Sequence, residues 1–230
     1  DPDVTTAGSQ EYTGDLSYPV SDTSLDLGTY AIIDGDLAID ATATDLSDLS
    51  CLFEITGTLS VTNNPYLADM TGLCGLTVLG GNLEIDNAEG MLDLSGLDAL
   101  SEIGGDLLLQ DTTSLTSVAG LGTLTDVGGS LSILNAAALS DLSDLSALSY
   151  VGGDLQIEGS ALAGLDGLGA ITEMGGSLIL ADNASLSSLE GLTVLSTVGG
   201  GFTSDNNDNL TDLAGLDRLS ALGGDLSLQN

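Results

Sequence analysis

The sequence predicts an all-β protein, a parallel β-solenoid (β-helix) of about nine to ten coils on a 24-residue repeat. Three observations predict it. A glycine pair recurs at Gly80/Gly81, Gly104/Gly105, Gly128/Gly129, Gly152/Gly153, Gly175/Gly176, Gly199/Gly200 and Gly223/Gly224, at intervals of 24, 24, 24, 23, 24 and 24 residues. A fixed period of this size marks a repeat unit that cannot bury its apolar face without a stacked neighbour. After each pair comes L-x-I or a close variant, which has the two-residue period of a short strand with two side chains inward and one outward. The later leucines of each coil return every three residues, which suits 3₁₀ turns or brief extended pieces and leaves no room for a long helix.

Taken in order, residues 1–30 form an irregular N-terminal segment holding a degenerate first coil at Gly14-Asp15-Leu16-Ser17-Tyr18, and residues 31–230 form the solenoid domain. The coils at Asp34-Gly35-Asp36-Leu37-Ala38-Ile39 and Thr56-Gly57-Thr58-Leu59-Ser60-Val61 keep one glycine of the pair. From Gly80 the unit is complete, with Leu83, Ile85, Met91, Leu94, Leu97, Leu100 and Ile103 pointing at a common interior. The strand pairs, from Leu37/Ile39 to Leu226/Leu228, are expected to stack as one parallel sheet. The coil at Gly199 departs, offering Phe202 and Ser204, and marks a rung of local repacking. Glycine before the strand suits a tight corner, through positive φ or close approach of the coils. Asn63, Asn87, Asn135, Gly159, Asp182, Asn206 and Asn230 suit the opposite corner.

The charge is lopsided. Thirty-five acidic residues face a single basic one, Arg218, with no histidine, for a net charge of -34. Such a surface repels nucleic acid and anionic membranes, so neither is an expected partner. Because 42% of the residues are apolar and periodically placed, the charge does not imply disorder. A surface of short carboxylates with almost no cations is adapted to high salt. No run of eighteen apolar residues exists, so no membrane insertion is expected, and the start at Asp1 reads as a processed, exported terminus.

Cys51 and Cys74 lie 23 residues apart, which places them on adjacent coils and makes a disulfide the expectation, against two buried thiols filling the core. Asn183-Ala184-Ser185 and Asn209-Leu210-Thr211 match glycosylation acceptors at Asn183 and Asn209. The inventory removes most catalysis, since no histidine or lysine is present to act as base, clamp or nucleophile partner. No catalytic, cofactor-binding or metal-ligating residue is assigned. No cofactor is expected, with calcium left open because stacked coils can align oxygen ligands. The outward acidic rows, Asp36/Asp40, Asn82/Glu84/Asp86, Asp106, Asp154/Glu158 and Asp225, alternate with neutral rows and read as a solvated face.

The G-G-x-L-x-I strands and L-x-G-L-x-x-L segments such as Leu94-Ser95-Gly96-Leu97-Asp98-Ala99-Leu100 resemble the leucine-rich, receptor L-domain-like β-solenoids of secreted microbial surface proteins. The resemblance covers about residues 30 to 230 and implies binding, adhesion or surface architecture rather than catalysis. The repeat runs to the last residues with no capping unit, so Leu226 and Leu228 are candidates to meet Leu16 and Tyr18 of another copy. The expected function is a secreted, cell-surface structural protein, a filament or surface-layer subunit whose partner is itself, head to tail. The competing expectation is a monomeric adhesion module for glycans or other surface proteins.

Overall fold

The computed structural model describes residues 10–19 and 25–229. They wind into a parallel β-solenoid with two ten-stranded sheets, each coil giving one strand to each. The sheet after the glycine corners holds the expected L-x-I strands, among them Leu83–Asp86, Leu107–Gln110, Leu131–Leu134 and Leu155–Glu158. Their register is one to one: Leu83, Leu107, Leu131, Leu155, Leu178, Phe202 and Leu226 pair in succession. The inward residues of the internal rungs, Leu37/Ile39 through Leu178/Leu180, are buried. Each such leucine contributes about 2 kcal/mol of burial, and the continuous core repeats that contribution along the axis.

The second sheet was not expected. Strands mostly of two residues, such as Glu102–Ile103, Asp126–Val127 and Tyr150–Val151, precede the glycine pairs and also stack in parallel. Only one of their two residues, Ile103, Val127 or Val151, turns inward. The glycine pair is therefore the corner between the two sheets. Its glycines are explained by close approach: a Cβ on Gly104 would strike the Gly80 carbonyl oxygen, and one on Gly128 the carbonyl oxygen of Gly104. Positive φ belongs to the L-x-G-L glycines instead, as at Gly96 (φ 108) and Gly120 (φ 104).

At the opposite corner Asn63, Asn87, Asp111, Asn135, Asp182 and Asn206 are left-handed, with φ between 51 and 57, and Gly159 joins them at 66. Asparagine and aspartate tolerate this region because their short side chains bond locally. Beyond the corner, the three-residue leucine spacing forms turns and short 3₁₀ helices, including Ser47–Leu49, Ser143–Ala147 and Glu190–Leu192. Among the described residues there is no α-helix, and no helix is long and apolar enough to cross a membrane.

Candidate functional site: polar ladders and the end rungs

A stacked fold brings like residues together, and three columns of polar side chains follow. The first lies just after the glycine corner. Asp36 Oδ1 accepts the backbone N–H of Thr58 at 2.7 Å, Thr58 Oγ1 that of Asn82 at 3.3 Å, Asn82 Oδ1 that of Asp106 at 2.9 Å, and Asp106 Oδ1 that of Ser130 at 2.7 Å. Ser130 Oγ, Asp154 Oδ1 and Ser177 Oγ continue it to the N–H groups of Asp154, Ser177 and Gly201. At its start Asp15 Oδ1 accepts the N–H of Asp36 at 3.1 Å. The rows read from the sequence as a solvated acidic face are thus, at this position, one oxygen per coil receiving one N–H of the next. Asp, Asn, Ser and Thr share the column because each carries a short acceptor, a logic that charge counting misses.

The second column fills the interior directly after the left-handed corner: Asn64, Ala88, Thr112, Ala136, Ser160, Asn183 and Asn207 are all buried. Asn64 uses its whole amide, donating from Nδ2 to the carbonyls of Asp40 and Ala43 and accepting at Oδ1 from the N–H groups of Tyr66 and Leu67. Asn183 donates to the Ile157 carbonyl at 2.8 Å and accepts from the Ser160 hydroxyl at 2.7 Å. Asn183, named from the sequence as a glycosylation candidate, is in the folded chain a fully buried, hydrogen-bonded amide. Asn209 is exposed, its Nδ2 donating to the Ala184 carbonyl. Asn207 also resolves the departing rung at Phe202. There Ser204 is buried where every other coil carries a larger apolar or aromatic side chain, and its hydroxyl accepts from Asn207 Nδ2 at 2.9 Å.

The third column consists of Asx-type turns. Asp45, Asp69, Asp93, Asp141 and Asp212 each accept, through Oδ1, the N–H two residues on. The Ser47 hydroxyl and then its N–H hold the Asp45 carboxyl below the ordinary aspartate value; Thr42 does the same for Asp40, and the Ser143 N–H, then its hydroxyl, for Asp141.

The expected disulfide is absent: Cys51 and Cys74 are free thiols, and both are exposed rather than packed in the core. Leu49 and Leu52, on either side of Cys51, and Leu73, just before Cys74, turn inward and leave both cysteines on the outside. Cys74 instead joins Asp45, Ser50, Asp69 and Thr71 along a groove of about 450 Å³. Among the described residues no three acidic or cysteine side chains are grouped to hold a metal ion.

No protein-family model and no curated protein matches the chain. The four candidate assembly residues divide by end. Leu16 and Tyr18, in the strand Leu16–Tyr18, are buried within their own subunit, with 6% exposed in each case. Leu226 and Leu228, in the strand Leu226–Gln229, are 55% and 52% exposed, although Phe202 and Ser204, on which they stack, are buried. A small cavity of about 180 Å³, lined by Ser204, Leu210, Leu213 and Leu228, opens beside them.

Proposed function

We propose that the protein is a non-catalytic structural protein of the cell exterior that self-assembles head to tail into a filament or surface layer. The uninterrupted one-to-one stacking of both sheets carries this reading: each rung is stabilised by another laid upon it, and the same contact made between copies does not close. The likeness of the strand and leucine segments to receptor L-domain-like, leucine-rich solenoids supports a secreted, surface-bound setting. The lack of histidine and lysine supports a role outside catalysis.

Electron microscopy of the native chain at physiological salt tests the proposal. Long fibres or sheets are expected, and the double variant Leu226→Glu, Leu228→Glu should give single rods of unchanged circular dichroism. Monodisperse rods from the unaltered protein would overturn assembly and favour an adhesion module. The groove at Asp45, Asp69 and Thr71, with Tyr66 65% exposed on the same coil, is what speaks for that second reading.

A further inference from the structure

The coil that begins at Gly35 is shorter than the one that follows it. Gly35 to Gly57 spans 22 residues, and Gly57 to Gly81 spans 24. The difference lies between the inward residues Ile39 and Ala43, four positions apart, where the next coil sets Val61 and Leu67 six apart. The corner of the longer coil therefore overhangs the shorter one, and Asn64 reaches back to bond the Asp40 and Ala43 carbonyls. Past that corner the two coils part. On the coils that follow, this side is stitched by the Leu92 N–H to the Ala68 carbonyl and by the Met70 N–H to the Ser95 carbonyl, each at 2.9 Å. Among the described residues, the Ala68 and Leu46 N–H groups make no such bonds to Thr44 and Thr71. The groove of about 450 Å³ lies at this parting.

Its lining says what would fill it. Leu67 and Ala68 give an apolar wall, and Tyr66, one residue earlier on the overhanging corner, is 65% exposed. Asp45 and Asp69 hold the same position on adjacent coils; in each, Oδ1 accepts the N–H two residues on, and Oδ2 accepts no bond from the described residues. No cation of the chain answers them, since Arg218, the lone basic residue, belongs to the coil that runs up to Gly223. A metal ion does not suit the pair, because among the described residues no third ligand joins it. We propose that the groove is a docking site for an arginine side chain on an extended, basic segment of a partner protein, with the guanidinium bridging Asp45 and Asp69. Arginine fits better than lysine: its planar fork reaches two carboxylates at once, its stem lies along Leu67 and Ala68, and its flat face stacks on an aromatic ring such as Tyr66. The net charge of -34 draws basic partners from a distance, and the groove supplies the fixed place that a diffuse acidic surface lacks. The docking does not depend on head-to-tail assembly.

The test is an amide-resolved NMR titration of the full chain with the peptide acetyl-Gly-Ser-Arg-Gly-Arg-Ser-Gly-amide at about 0.15 M salt, where loose attraction to distant charges is screened. Saturable shifts are expected at Thr44 to Leu46 and Ala68 to Thr71. The double variant Asp45→Asn, Asp69→Asn keeps both Oδ1 acceptors and removes both charges, so it should fold as before and weaken binding at least about tenfold. Tyr66→Ala, at an exposed position, should weaken it about threefold, while Asp93→Asn, the same turn one coil further on, should leave it unchanged. Shifts scattered over the whole acidic surface would overturn the proposal, as would equal binding of a peptide with citrulline in place of arginine. Spermine binding at the groove as tightly as the peptide would overturn the partner protein as the source of the cation.

Discussion

Thr112 is the residue at which the interior column fails to satisfy itself. Its Oγ1 is buried without a hydrogen-bond partner, between Ala88 and Ala136, whereas the asparagines at the ends of the column engage their amides fully. A buried hydroxyl without a partner costs its full desolvation, so Thr112→Val, which keeps the shape, should raise stability by about 1 kcal/mol in chemical denaturation. The opposite is expected at Asn64. Removing its amide in Asn64→Ala strands two carbonyls and two N–H groups and should lower stability by about 3 kcal/mol. Equal effects of the two substitutions would refute the ladder. At the surface, the Asx turns give a pH dependence of definite sign. Asp45 titrates below the ordinary 3.8 in the folded chain, so what it adds to stability is complete above that value. It is lost as pH falls through the lower folded value. The difference in melting temperature between the unaltered protein and Asp45→Ala should therefore be present at about pH 6 and shrink toward zero near about pH 2. A constant difference would show that the carboxylate charge plays no part.

At the scale of the element, the corners decide which substitutions the coil accepts. Gly128 presses on the Gly104 carbonyl of the coil before it, so Gly128→Ala forces two backbones apart and should cost about 3 kcal/mol. Gly122 has an ordinary φ, and a Cβ there would meet only the Asp144 carboxylate at 3.5 Å. Gly122→Ala should leave stability unchanged or raise it slightly, by narrowing the unfolded ensemble. Similar thermal midpoints for the two variants would contradict close approach as the reason for the pair. These corners also show what the sequence could reveal. The L-x-I strands were legible because two inward positions two residues apart have a period, and the left-handed corners because asparagine and glycine favour that backbone. The second sheet was not, since strands with a single inward residue such as Ile103 have no alternation to read. The buried Asn64 and Asn183 column hid beside corner asparagines of the same type, and only stacking separates the φ-tolerant residue from its hydrogen-bonding neighbour. The open thiols of Cys51 and Cys74 were misplaced for a related reason: period arithmetic fixes the coil, not the side on which the chain turns outward.

Across the whole molecule the net charge of -34 is held on a rod whose coils repeat every strand spacing, so carboxylates meet like charges as neighbours. Glu102 and Asp126 are such a pair, in register on adjacent strands. The Asx turns and the corner ladder give many aspartates a local bond, yet neither supplies a counter-charge, and Arg218 is the lone cation of the sequence. Self-repulsion of this kind is relieved by screening, with the Debye length falling from about 30 Å at 0.01 M salt to about 3 Å at 1 M. The melting temperature should therefore climb steadily between these salt concentrations. Since no cluster of three ligands exists among the described residues, calcium and sodium chlorides compared at equal ionic strength should give closely similar curves. A sharp rise at low millimolar calcium, before the ionic strength has changed appreciably, would mean that the carboxylate columns bind the ion specifically. A flat response to both salts would mean that the acidic surface, for all its charge, exerts no net strain on the solenoid.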